Sequence, residues 1–182
     1  MVAEHLGGHL NRVHIDQGTL EYFTTHLGVT SMIDIGCGPG WMSEVAHNLG
    51  VAWYGVDGDE EALDAKLGTV VHDFSTGPCR HFYDLPCDLA WSVEFLEHVD
   101  EEFVPNFMST FRMCKYAVVT AAPPGYPGHH HVNCRTQDYW KGVFASSGFA
   151  FLPNETQQVR SRSTMVKPFM QSTGMVFRKY NV

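Results

Sequence analysis

Ser31-Met32-Ile33-Asp34-Ile35-Gly36-Cys37-Gly38-Pro39-Gly40 joins a short apolar run to three glycines at alternate positions. The helix-like stretch Trp41–Leu49 follows directly, with Trp41, Val45, Ala46 and Leu49 on one face. The pattern predicts a buried strand, a tight turn and a helix. Glycines let such a turn take positive φ and bring backbone N–H groups close to a ligand at the helix N-terminus. A dinucleotide fingerprint G-x-G-x-x-G would need its third glycine at position 41, where Trp41 stands. Asp34, two residues ahead of the first glycine, would repel a pyrophosphate and suits a cationic ligand.

Outward from this turn, apolar runs alternate with helical periodicity, the pattern of an α/β parallel sheet. Strands are expected at 31–35, 51–57, 68–74, 88–93, 116–122, 149–153 and 174–180. Helices are expected at 41–49, around 59–66, at 101–113 and at 136–147. Phe103, Phe107 and Phe111 recur at helical spacing in 101–113, and Pro105 is tolerated only near the first turn. Thr136 is placed to cap the 136–147 helix and Gly148 to stop it. Seven strands with interleaved helices make a three-layer, doubly wound α/β domain spanning 1–182. Residues 154–173 are polar and long for an idle loop.

At 182 residues, 44% hydrophobic and 18% charged, the chain suits one globular domain with its own core. The formal net charge of −8 argues against a general nucleic-acid or membrane binder. Residues 1–111 carry 18 acids and 3 bases, and residues 112–182 carry 2 acids and 9 bases. Five scattered cysteines without a C-x-x-C pair form neither a disulfide framework nor a zinc ribbon, and fit a reducing compartment. The first residues lack the pattern of a signal peptide, and no run approaches the about 18 apolar residues of a membrane span. A cytoplasmic location is expected.

The glycine turn with its leading acid resembles motif I of the class I S-adenosylmethionine-dependent methyltransferases. Tyr54-Gly55-Val56-Asp57-Gly58 is similar to their second strand, whose terminal acid takes the ribose hydroxyls. His72-Asp73-Phe74 is similar to the loop that meets adenine, and Asp88–Val99 to the fourth-strand segment beneath the methyl. Together these segments cover about residues 31–150. The resemblance implies a Rossmann-like seven-stranded sheet, mostly parallel, with an antiparallel last strand. It also implies S-adenosylmethionine as cofactor, held by Asp34, Gly36, Cys37, Gly38, Gly40, Asp57, Gly58, Asp73, Phe74, Ser92 and Val93. Residues 1–30, with Arg12, His14 and the helix-like 18–27, are expected to form a helical lid.

Glu94, Glu97 and His98 form an E-x-x-E-H segment after the fourth strand, similar to the metal-binding segment of the ubiquinone-pathway O-methyltransferases and small-RNA 2′-O-methyltransferases. On a helix these positions share a face, and one of His129, His130 and His131 would add a fourth ligand. A divalent metal is left open but not expected. The other use of these histidines is proton removal from an acceptor, for which His131 and His98 are the candidates.

The expected activity is methyl transfer to an O or N atom of a small acceptor. If the last strand is antiparallel, residues 153–173 overhang the acceptor side. Arg160, Arg162 and Lys167 there, with Arg135 and Lys141 nearby, point to an anionic acceptor, with nucleic acid ranked below small anions. The alternatives are a catalytically inactive cofactor-binding subunit of the same fold and an NAD(P)-dependent oxidoreductase.

Overall fold

A computed structural model describes residues 5–6, 14–61 and 69–180. Seven strands form one sheet: β1 (Ser31–Ile35), β2 (Ala52–Asp57), β3 (Val70–Val71), β4 (Cys87–Ser92), β5 (Cys114–Val119), β6 (Phe149–Phe151) and β7 (Met175–Lys179). Their spatial order is β3-β2-β1-β4-β5-β7-β6. The pairs from β3 to β5 are parallel, and β7 runs antiparallel to both β5 and β6. This is the doubly wound, mostly parallel sheet with an antiparallel last strand that the sequence implies. The C-terminal ends of β1, β2 and β4 share one edge, where ligands bind in such sheets.

Both faces of the sheet are covered, so central strands such as β1 are buried nearly throughout. Side chains still alternate. Ile33, Ile35 and Ala90 enter one core, with Phe107, Phe111, Trp140, Phe144 and Phe177. Met32, Leu89 and Trp91 enter the other, with Leu20, Phe23, Met165 and Met170. Helices α3 (Val104–Phe111) and α4 (Gln137–Ser146) cover the first face, where the Phe144 and Phe177 rings stack at 4.1 Å. Thr136 caps α4 by accepting from the Tyr139 amide at 3.2 Å. Thr136→Ala is expected to cost about 1 kcal/mol, read as a lower urea midpoint at unchanged slope.

The second face is covered by α1 (Gln17–Leu27), α2 (Met42–Asn48), α5 (Pro153–Arg162) and α6 (Phe169–Thr173). The sequence expectation differs here in two respects. Helix α1 buries Leu20 and Phe23 against the sheet and packs beside α5, so it is a core element and not a lid. Residues 154–173 are two helices rather than a loop. Asp16, fully buried, ties them to α1: its carboxylate accepts from Thr19 N, Ser163 Oγ and Thr164 N at 3.1, 2.6 and 2.9 Å.

Strand β3 is also shorter than the expected 68–74. After Val71 the chain turns, and Asp73 caps a 3-10 turn over Phe74–Thr76. The helix expected around 59–66 falls largely on residues 62–68, outside the described residues, as does Arg12.

Candidate active site

A cavity of about 710 Å³ opens at the C-terminal edge of β1, β2 and β4. Its floor is the glycine turn. Gly36, Gly38 and Gly40 have φ of 74°, 51° and 75°. A Cβ on Gly36 would lie 2.6 Å from the Phe95 ring, so glycine is required there by both backbone and space. The turn is fastened to β2 by Gly36 N donating to Val56 O at 2.9 Å.

Three carboxylates face this floor from successive strand ends. Asp34 is buried at the end of β1 and accepts from Trp53 Nε1 at 3.2 Å. Burial pushes its carboxyl up to about 7, against the Trp53 hydrogen bond, with the nearby Asp57 adding to the rise. Asp57 accepts from Gly38 N at 2.8 Å and from Asp59 N at 2.9 Å, so the acid of β2 also shapes the glycine turn. Asp73 accepts from Ser75 N and bonds His5 Nε2, both at 2.8 Å. Burial alone would raise its carboxyl, but these hydrogen bonds outweigh burial and hold it below the ordinary value.

Asp34, Gly36, Cys37, Gly38, Asp57, Gly58, Asp73, Phe74 and Val93 all line the cavity. Gly40 and Ser92 do not. Gly40 closes the turn by donating to Cys37 O. Ser92 is buried and donates to Ile35 O at 3.0 Å, bracing β4 against β1. Burial pushes the Cys37 thiol up, which leaves it protonated and without nucleophilic use.

The far side of the cavity carries Glu94, His98, Tyr126, His129, His130 and His131. Glu94 and His130 are the only non-glycine residues with positive φ among the described residues, at 53° and 44°. Thr120, at the end of the β5 run, holds Glu94 in place: its Oγ1 accepts from Glu94 N at 2.9 Å and donates to Glu94 Oε1 at 2.8 Å. Sequence reasoning gave Thr120 no role, and only its place just beyond β5 could have flagged it. His5 and Leu6 were likewise given no role, whereas His14, from the segment expected over the cofactor, and Phe169, from the segment expected to overhang the acceptor side, do line the cavity.

Ligating atoms of Glu97, His98 and His131 lie within 4.8 Å of one another. Glu97 is fully buried; one oxygen accepts from Ala122 N at 3.1 Å and the other, Oε2, has no partner. A buried carboxylate oxygen left unpaired is costly, so the site fits a cation there. Burial raises Glu97 well above the ordinary carboxylate value, with Glu94 beside it adding to the rise. Burial, helped by His131, lowers His98 to about 4. An imidazole that stays neutral so far down is a weak proton acceptor but is ready to serve as a metal ligand.

The basic residues divide differently from the sequence expectation. Arg160 is committed to Gly174 O at 2.9 Å and Gln137 Oε1 at 3.1 Å, and Arg162 lies over the Tyr22 ring. Arg135 pairs with Glu101, and Lys141 with Asp138 at 3.0 Å. Of these five bases only Lys167 lines the cavity, beside His14. Burial, then the Lys167 charge, lowers the pKa of His14.

Residues 33–116 match the family model described as a methyltransferase domain. Among solved structures, a SAM-dependent methyltransferase from Archaeoglobus fulgidus is 24% identical, with 71% of this chain and 64% of that chain covered, at a TM-score of 0.56. The Burkholderia thailandensis 1,6-didemethyltoxoflavin-N1-methyltransferase, solved with its substrate and S-adenosylhomocysteine, is 14% identical over 90% and 77%, at 0.60. The methyltransferase domain of bacterial CtHen1-C is 17% identical over 91% and 97%, at 0.59. The chain thus spans under two thirds of the Archaeoglobus protein and nearly all of the CtHen1-C domain. No curated protein matches the sequence.

Proposed function

We propose that this chain, whose residues 33–116 match the methyltransferase-domain model, transfers the methyl of S-adenosylmethionine to an O or N atom of a small anionic acceptor. The observation that carries the reading is the set of three carboxylates, Asp34, Asp57 and Asp73, at successive strand ends around a glycine turn. In it, Asp57 takes the ribose hydroxyls and Asp73 the adenine amino group. Asp34 faces the amino group of the methionine part, and Gly36, Cys37, Gly38, Gly58, Phe74 and Val93 supply the shape.

Methyl transfer is an in-line displacement. S-adenosylmethionine, which Asp34, Asp57 and Asp73 would hold, would supply an electrophilic methyl whose transfer to an acceptor lone pair neutralises the sulfonium. The protein's task is to hold acceptor, carbon and sulfur in line and away from water. A hydroxyl or ammonium acceptor must also lose a proton. His131, fixed by a 2.9 Å bond between Nδ1 and Tyr126 O, presents its other nitrogen for that purpose. Lys167 offers the acceptor's negative group a partner.

A divalent ion, if used, would be held by Glu97, His98 and His131, with Glu94 bonded to Thr120 outside that group, and would supply Lewis-acid stabilisation of the acceptor oxygen or nitrogen. Chelation separates the two uses of His131. With the ion, turnover is abolished by EDTA and restored by Mg²⁺, Mn²⁺ or Zn²⁺. Undiminished turnover in excess EDTA leaves His131 as the proton acceptor.

The functional test begins with calorimetry against S-adenosylmethionine, S-adenosylhomocysteine and NADH. Transfer of labelled methyl to carboxylates, sugar phosphates, nucleotides and neutral apolar compounds follows. Heat with the first two ligands only, and labelling of an anionic acceptor, is the expected result. Binding of NADH alone overturns the cofactor, and a neutral apolar best acceptor overturns the anionic class. Lys167→Ala is expected to raise the acceptor KM about 2–5-fold, the effect of one exposed ion pair, at unchanged cofactor affinity.

A further inference from the structure

Cys87 and Cys114 are the first residues of β4 and β5 and sit directly opposite each other in the parallel ladder. They lie at the N-terminal ends of these strands, the edge of the sheet opposite the cavity. Adjacent strands run about 4.8 Å apart, inside the Cα separation of 4.4–6.8 Å that a disulfide spans. Register partners in a parallel pair send their side chains to the same face, and both thiols lie in the same core cluster.

We propose that Cys87 and Cys114 form a reversible redox-modification site, in which a hydroperoxide converts the two thiols into an intramolecular disulfide. Cys87 reacts first. It is the more exposed of two buried residues, at 7% against 1% for Cys114. The neighbouring Cys114 thiol, with a smaller effect from Ser31, outweighs burial and draws Cys87 down to about 7, while the same neighbour and burial push Cys114 well up. The thiolate is thereby concentrated on the sulfur nearer solvent.

The Cys87 thiolate attacks the terminal oxygen of the hydroperoxide. An S–O bond forms, the O–O bond breaks, and the leaving oxygen departs as water after taking the Cys114 proton. Cys114 sulfur then attacks the Cys87 sulfenic acid, the S–S bond forms, and the S–O bond breaks with loss of a second water. Two thiols and one hydrogen peroxide therefore give one disulfide and two waters. Facing Cβ atoms at strand spacing are wider than the about 3.5–4.5 Å of a relaxed bridge. Oxidation must draw the strand ends together, and a bridge under such tension is readily reduced.

The test uses the native full chain treated with hydrogen peroxide, quenched, alkylated under denaturing conditions and mapped by mass spectrometry. The expected product has lost two hydrogens, links the Cys87 and Cys114 peptides, and reverts with dithiothreitol. Cys87→Ser abolishes the link, and Cys114→Ser leaves a sulfenic acid on Cys87 that dimedone traps. Cys114→Ala gives the same readout should the serine not fold. Cys134 is the one cysteine of the five that is not buried, so indiscriminate oxidation starts there. Oxidised Cys134 with Cys87 and Cys114 both alkylated, or a bridge between any other pair, overturns the proposal. The readout is independent of methyl transfer, so it stands or falls apart from the proposed function.

Discussion

Asp57→Ala is expected to weaken binding of S-adenosylmethionine and S-adenosylhomocysteine by about tenfold to hundredfold, with the fold retained. Two effects add. The ribose loses charge-assisted hydrogen bonds worth about 1.5–3 kcal/mol. Gly38 N also loses its 2.8 Å acceptor, so the glycine turn is no longer fastened to β2 from its far side. Asp57→Asn separates them, because an amide oxygen still accepts from Gly38 N while the charge is gone. Its loss should fall between wild type and alanine. Calorimetry gives the affinities and far-UV circular dichroism the fold. Wild-type affinity in Asp57→Ala would remove this residue from the cofactor site.

Asp34→Asn is expected to stabilise the protein without ligand and to weaken cofactor binding. In the unfolded chain the Asp34 carboxyl titrates near its ordinary 3.8, and in the folded protein near about 7. The folded state therefore prefers the protonated acid, and stability falls as pH rises from about 4 to about 7. Above that range ionised Asp34 costs the fold up to about 4 kcal/mol. Asparagine keeps the acceptor that Trp53 Nε1 needs but adds an N–H₂ without a ready partner. The net gain is set at about 2 kcal/mol. Urea unfolding at pH 8 should show that gain, and at pH 4, where the charge cost is gone and the unpartnered N–H₂ remains, it should turn into a loss of about 2 kcal/mol. A gain independent of pH would show that Asp34 does not carry the buried charge. Burial at this carboxylate favours a cationic ligand for the same reason: a positive group brought beside Asp34 relieves the penalty that folding imposed.

The sheet was legible in the sequence because its central strands β1, β4 and β5 are buried nearly throughout and read as largely apolar runs. The C-terminal helices were not. Helix α5, PNETQQVRSR, buries only Thr156 and Val159, so it shows no apolar stripe. What holds it is tertiary: Leu152 N donates to Val176 O at its start, and Asp16 receives Ser163 and Thr164 at its end. Helix α1 could be read as a helix, but helical character does not say what a helix packs against, and its Leu20 and Phe23 are core.

At the site, the glycine turn and its acids could be read because backbone geometry there restricts which residues fit. Gly40 in that turn and Ser92 at the end of β4 lie outside the cavity lining, a distinction that spacing does not carry. The pairing of Thr120 with Glu94 and the commitment of Arg160 to Gly174 depend on contacts between distant segments, which a single sequence does not encode locally.

The order β5-β7-β6 also sets a constraint in time. Among the described residues, strand β6 pairs only with β7, and β7 fills the gap between β5 and β6. Until residues 175–179 arrive, β6 has no partner and β5 presents a bare edge of unpaired amides and carbonyls. A growing chain is therefore sticky up to its last strand, since an open β edge invites pairing with other chains. Molecules cut short before Met175 should accumulate as aggregates or attract chaperones, even though every residue lining the cavity has by then been made.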